Sequence, residues 1–293
     1  MRDNIDNISS FASDIFKKYD FFYIDIWGTL HNGLTLLKRG ERLIEHIHKL
    51  GKPLALVTNS PERFFCVGEL LRQMGLNLRP EDHIISAGEV LYHDLKGNKY
   101  GVNTKFYVID EEANYSYFEG LNFKSTQDIH EADSILVRIV SSDQSAHTIY
   151  KKIIRYGYEK NLPLIIANSD LSVLVGKKYH DRPGVLGKYY KEKQHLVTYY
   201  GKPFEAIYKY IEKTHNVTSK TKVLCVGDSL YTDVLGANLR GHDSLYITDL
   251  HGESSVNRGI LDIIAPDLYK NPKPTYEYRF NNDTLVIPTV VHK

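Results

Sequence analysis

The stretch Phe21-Phe22-Tyr23-Ile24-Asp25-Ile26-Trp27-Gly28-Thr29-Leu30 constrains the fold more than any other part of the chain. An apolar run reaches a carboxylate and then turns through a glycine, which reads as a buried strand delivering Asp25 to a sheet edge. The same rhythm continues downstream. Leu43, Ile44, Ile47 and Leu50 share one face of a helix closed by Gly51, and Pro53 to Thr58 is again a buried strand. Asn59 to Glu62 is expected to open a helix running to Met74-Gly75, and Ile84 to Leu95 supplies a further strand and helix. Strands and helices alternating at this spacing pair in parallel through right-handed crossovers, so the expected class is α/β.

The rhythm breaks at Lys96-Gly97-Asn98-Lys99-Tyr100-Gly101 and restarts with strands at Phe106–Ile109, Ser134–Val140 and Pro163–Ala167 and a helix over Ser145–Lys160. This reads as a second α/β domain inserted into the first. The expected division is a discontinuous Rossmann-like parallel-sheet core at 1–100 and 194–293, and an inserted domain at 101–193. The core resumes with a strand at Leu196–Tyr200, a helix from Pro203 to His215, a strand at Lys222–Val226, a helix at Asp233–Leu239 and a strand at Ser244–Ile247. A helix is expected at Ile8–Tyr19, and the segment from Ala265 onward reads as surface-running, with one strand-like stretch at Thr284–Ile287. A formal charge of +1 sets up no field for nucleic acid or membrane. Two cysteines, Cys66 and Cys225, are too few for a disulfide framework; with no signal peptide or spanning run, the expected location is cytoplasmic.

Four strands end on polar residues: Asp25, Thr58-Asn59, Gly201-Lys202 and Gly227-Asp228. Ligands of open parallel sheets sit beyond the carboxyl ends of the strands, so these groups converge on one crevice. Two carboxylates arriving from different strands repel unless a cation separates them, and hard oxygen donors suit Mg²⁺. Lys202 and the metal would together neutralise a phosphoryl group, with Thr58 and the backbone N–H groups around Gly28 as donors. Each residue also has an ordinary reading. Asp25 could be a turn residue, Lys202 a solvated lysine, and Asn59 or Ser60 a helix cap. The histidines have no zinc-ligand spacing.

In order and spacing, Asp25-x-Trp27-Gly28-Thr29, Thr58-Asn59-Ser60, Lys202-Pro203 and Gly227-Asp228-Ser229-x-x-Thr232-Asp233 resemble the four motifs of the haloacid dehalogenase-like hydrolases. The closest resemblance is to subclass IIA, whose α/β cap is inserted between the second and third motifs, and to a subgroup with Trp in the first motif. The resemblance implies a Mg²⁺-dependent phosphohydrolase acting on a small phosphorylated metabolite. It makes Asp25 the nucleophile and a metal ligand, the Trp27 carbonyl and Asp228 further ligands, and Asp233 a residue orienting the metal shell. Thr58 and Asn59 would hold the phosphoryl group, Lys202 would pair with Asp25 and the phosphate, and the cap would select the leaving group through Asn168 to Asp170 and Arg182. Caps of this type can dimerise in the family, which admits a homodimer.

Trp27 departs from the family's phosphatases, where an aspartate at this position protonates the leaving group and activates water. An indole N–H does neither. General acid–base help is worth about 10²–10⁴-fold, which leaves three readings. The leaving group needs no proton, His31 or another residue supplies it, or the protein binds a phosphorylated ligand without turnover. Cleavage of a phosphonate or carbon–halogen bond by the same nucleophile is a further alternative.

Overall fold

The structure is a computed structural model that describes residues 14–113, 115–175, 178–249, 272–281 and 284–290. The strand expected around Asp25 is β1 (Phe21–Asp25), buried along its whole length. Its alternation sends Phe22 and Ile24 into one apolar cluster and Phe21 and Tyr23 into another, so both faces of the sheet must be covered. Helices α1 (Lys38–Lys49) and α2 (Phe64–Gln73) contribute Ile44, Ile47, Val67 and Leu71 to the first face. The second face takes Val90 and Leu91 of α3 (Ala87–Lys96) and Ile207, Tyr208 and Ile211 of a later helix. Strands β2 (Leu54–Thr58) and β3 (His83–Ser86) lie in parallel on one side of β1.

The second sheet starts with β4 (Lys105–Asp110), β5 (Lys124–Thr126) and β6 (Ser134–Ile139). Helix α4 (Gln144–Lys160) and β7 (Leu164–Ile166) follow. An antiparallel hairpin of β8 (Ser172–Val175) and β9 (Lys178–Asp181), the short helix α5 (Gly184–Gly187) and β10 (Val197–Tyr199) complete the insertion. The sheet order is β10-β7-β6-β4-β5, with every pair parallel. The chain then returns through α6 (Glu205–Thr214), β11 (Val223–Gly227), α7 (Leu235–Arg240), β12 (Asp243–Asp249), β13 (Tyr276–Asn281) and β14 (Thr284–Val290). The first sheet runs β14-β13-β12-β11-β1-β2-β3, parallel except for the last hairpin.

Several expectations need correction. The strand expected to rejoin the core at Leu196–Tyr200 is instead the edge of the second sheet, because Val197–Tyr199 pairs with Leu164–Ile166. The second sheet therefore extends past residue 193. No helix opens at Asn59, since α2 starts at Phe64. Tertiary bonds hold 59–63 as a loop instead: Gly88 N–H donates to Ser60 O at 3.0 Å and Ser86 Oγ to Glu62 O at 2.5 Å. Strand β13 has no counterpart in the sequence pattern, and it makes part of the C-terminal segment an extension of the core sheet. Residues 8–13 of the expected first helix lie outside the described residues, as do 265–271 of the C-terminal segment. Among the described residues no helix is long and apolar enough to cross a membrane.

The two sheets share one apolar cluster, in which Val90, Leu91 and Tyr92 of α3 meet Phe106, Tyr117, Leu136 and Ile165. Across the same junction, the fully buried Arg138 donates to Asp110 Oδ2 at 2.6 Å, Glu62 Oε1 at 2.7 Å and Pro61 O, and lies 3.8 Å over the Tyr117 ring. A buried cation that joins two carboxylates costs several kcal/mol to break from one side. Arg138→Ala is expected to lower the unfolding free energy by about 3–5 kcal/mol, and Arg138→Met by less. Urea denaturation followed by circular dichroism checks both.

Candidate active site

Asp25 is the last residue of β1, Thr58 the last of β2, and Asp228 follows β11 directly. Strand β1 lies between β11 and β2, so the three ends form one edge. From β1 the chain winds toward β3, and from β11 toward β14. The gap between β1 and β11 is thus the topological switch point, where open α/β sheets bind ligands.

Lys202 closes this edge from the loop that follows β10. Its Nζ donates to Asp25 Oδ1 at 2.5 Å and Val57 O at 3.0 Å, and pairs with Asp233 Oδ1 at 2.7 Å. Three ammonium protons thereby meet three acceptors, and the residue is 4% exposed. Burial alone would lower the lysine pKa, but Asp233 and Asp25 outweigh it and hold the group charged. Gly201, at φ +106°, places this turn against Asn59, whose Oδ1 would lie 2.6 Å from any Cβ added there.

Oxygen atoms of Asp25, Asp228 and Asp233 lie within 4.8 Å of one another. Thr29 Oγ1 donates to Asp25 Oδ2 at 3.0 Å, and Ser229 N–H to Asp233 Oδ2 at 3.1 Å. Gly28, at φ +84°, leaves room for Asp228, since a Cβ there would strike the carboxylate. Burial, followed by repulsion from Asp25 and Asp233, pushes the Asp228 carboxyl well up. Asp233 is pushed up to about 6, by burial first, against the pull of Lys202. Three carboxylates against one ammonium leave two negative charges in a site of hard oxygen donors, which fits a divalent cation. Ser229 Oγ, buried beside Asp228, has no hydrogen-bond partner among the described residues, which also fits a polar occupant.

The second sheet meets this edge through Asn168, Ser169 and Asp170. Asn59 Nδ2 lies within hydrogen-bond distance of Ser169 Oγ at 3.1 Å, Asp170 Oδ1 at 2.8 Å and Lys202 O at 3.1 Å, while its Oδ1 accepts from Lys202 N–H at 2.6 Å. Its amide therefore ties the loops together. Thr58 Oγ1 accepts from Ser60 N–H at 3.2 Å, which leaves its own proton to donate. A cleft of about 200 Å³ is lined by Trp27, Thr58, Ser60 and Glu62 from the first α/β unit and by Asp170 and Arg182 from the second. Burial lowers the Arg182 pKa, while Asp170 and Glu112 oppose that shift.

Trp27 Nε1 donates to Leu174 O of β8 at 3.3 Å, so the indole joins the first motif to the hairpin. His31 packs edge-on to the indole at 5.0 Å, accepts from Gly33 N–H at Nδ1 and is 2% exposed. Burial lowers its pKa, which holds it neutral, and it is not among the described residues lining the cleft. Sequence reading missed Thr29, Ser169 and Leu174 as supports of the site. Thr29 lies within the first motif and Ser169 within Asn168–Asp170, but nothing in the sequence marks Leu174, whose backbone carbonyl is the acceptor.

Residues 22–124 match a family profile described as haloacid dehalogenase-like hydrolase, and residues 199–270 match one described as HAD-hydrolase-like. No curated protein sequence matches the chain. Among solved structures, a haloacid dehalogenase-like family hydrolase from Brucella suis is similar at 26% identity and a TM-score of 0.70, over 80% of this chain and 86% of that one. A glycerol phosphate phosphatase from Mycobacterium tuberculosis in complex with calcium is similar at 19% identity and a TM-score of 0.65, over 90% and 74% of the two chains. A thermostable NPPase double mutant from Geobacillus stearothermophilus follows at 22% and 0.64, over 91% and 97%. Two family profiles in chain order, together with a doubly wound sheet interrupted by a second α/β unit, place the protein in the haloacid dehalogenase-like hydrolase superfamily.

Proposed function

We propose that the protein is a Mg²⁺-dependent phosphohydrolase acting on a small phosphorylated metabolite through an aspartyl-phosphate on Asp25. The observation that carries this reading is the convergence of Asp25, Asp228 and Asp233 at the switch point of the sheet, with Asp25 and Asp233 paired to the buried Lys202 ammonium. Phosphatases among the similar structures support it, one of them a complex with calcium and another with magnesium. Asp25, Asp228 and Asp233 supply the carboxylates around the cation, with the Trp27 carbonyl as a further ligand. Bound there, Mg²⁺ neutralises charge on the phosphoryl oxygens.

Asp25 acts as the nucleophile, forming a carboxylate O–P bond as the ester O–P bond breaks. Thr29 and Lys202 hold its two oxygens in place, so little reorientation is needed before attack. Thr58 Oγ–H is the donor for the phosphoryl group, since the Gly28 N–H donates to His31 O at 2.7 Å and the Ser60 N–H to Thr58 Oγ1. Asn59 acts by positioning these loops, because its side chain is engaged within the protein. The leaving group occupies the cleft against Trp27, Asp170 and Arg182. We take 101–199 as the cap, ending at β10.

Trp27 favours a second reading from a different class, in which the site binds a phosphorylated ligand without turnover. That reading requires no Mg²⁺-dependent hydrolysis of any phosphate ester, while a metal fluoride with Mg²⁺ still raises the melting temperature. On the hydrolase reading, Asp25→Asn is expected to lower hydrolysis of 4-nitrophenyl phosphate by about 10³-fold or more with the far-ultraviolet circular dichroism unchanged. Chelation with EDTA is expected to remove activity and added Mg²⁺ to restore it. Mg²⁺ at about 100 times its Kd is expected to stabilise the wild type by about 2.7 kcal/mol, and Asp228→Asn to abolish most of that gain, as differential scanning calorimetry reads.

A further inference from the structure

The proposed hydrolysis lacks a proton donor at the position of Trp27, and Asp170, in the segment after β7, lines the same cleft. We propose that Asp170 is the general acid and base of this site, protonating the leaving oxygen and then accepting a proton from the water that hydrolyses the aspartyl-phosphate. The inference rests on the hydrolase reading above. In the first step the ester O–P bond breaks as Asp25 bonds to phosphorus, and the Asp170 proton passes to the departing oxygen to give an alcohol. In the second, water attacks the aspartyl-phosphate and its proton returns to Asp170, releasing phosphate and regenerating both carboxyl groups.

Geometry selects Asp170 among the carboxyls that line the cleft. Glu62 has an oxygen engaged by the buried Arg138 guanidinium at 2.7 Å, although burial raises its carboxyl above the usual range, and Glu112 is exposed. Asp170, among its contacts, accepts from the Asn59 amide Nδ2 at 2.8 Å. The same amide lies 3.1 Å from Lys202 O, and Lys202 reaches Asp25, so one rigid hydrogen-bonded path fixes the acid relative to the nucleophile. The Asp170 backbone is held as well, by its N–H to Asn168 Oδ1 at 2.8 Å and by Gly184 N–H to its carbonyl at 3.0 Å. Lys202 and Arg182 face the carboxyl as cations and Asp233 and Asp25 as anions. Burial dominates these influences and pushes the group up to about 6, close to the value that suits both roles near neutrality. His31, the nearest titratable alternative in sequence, lies beneath the indole and holds no proton at Nδ1, which accepts from Gly33.

A proton donor matters in proportion to how poor the leaving group is, which separates it from a residue that only shapes the site. The test measures kcat/KM of the Mg²⁺-loaded wild type and Asp170→Asn on glycerol phosphate, phenyl phosphate and 4-nitrophenyl phosphate. Asparagine keeps an acceptor for Asn59, so the loop contact persists. Asp170→Asn is expected to lower kcat/KM by about 100-fold or more on the alkyl ester and by less than about tenfold on 4-nitrophenyl phosphate. It should also produce a burst of nitrophenol, because hydrolysis of the aspartyl-phosphate becomes limiting. An equal loss on all three esters, or no loss on the alkyl ester, overturns the assignment. Should the variant unfold, the wild type decides: a shallow dependence of kcat/KM on leaving-group acidity supports proton donation, and a steep one overturns it. Absence of wild-type turnover on every ester overturns the hydrolase reading itself.

Discussion

The buried ammonium of Lys202 is the interaction on which the site depends. Its three protons reach β1 through Asp25, β2 through the Val57 carbonyl and the segment after β11 through Asp233. A cation in so little water is stable only because the two carboxylates outweigh the cost of burying it. Asn59 extends the arrangement outward, since its Oδ1 accepts from Lys202 N–H while its amide lies against Ser169 and Asp170. One hydrogen-bonded unit therefore sets the spacing between Asp25, Asp233 and the segment Ser169–Asp170 of the second α/β unit.

The join between the sheets is built on the same plan. Helix α3 contributes Ala87, Val90, Leu91 and Tyr92 to a single cluster that includes residues of both sheets. Arg138 adds a charged contact across that cluster, and Trp27 a hydrogen bond from the first motif to the β8–β9 hairpin. Near the two crossings between the sheets, Tyr100 and Tyr200 share a hydrogen bond at 2.7 Å. A large apolar junction of this kind resists independent motion of its two halves more than a polar one would. The indole of Trp27 thus has a structural task, donating to a backbone carbonyl, that an aspartate carboxylate could not perform.

Much of this was legible in the sequence because it depends on local pattern. The run Phe21–Ile26 marked a doubly buried strand, and its alternation supplies both apolar clusters. Asp25, Thr58 and Asp228 were placed at one edge by the parallel topology that the strand–helix alternation implies. Errors arose where long-range contacts override local signals. Asn59-Ser60 has the composition of a helix cap, yet Asn59 is drawn to Ser169 and Lys202 and the helix waits until Phe64. Val197–Tyr199 has the character of a core strand, but it pairs with β7, and pairing partners are not written in strand composition.

The sequence by itself determined the α/β class, the convergence of the motifs and the absence of a carboxylate at Trp27, because these follow from periodicity, strand order and residue identity. Only the tertiary structure decided that Lys202 meets two carboxylates at once, that Asn59 binds loops together, and that Asp170 and Trp27 line one cleft. Apart from the Lys202–Asp233 pair, those relations join residues separated by more than 100 positions, and no local preference of the chain specifies which distant groups the packed sheets bring together.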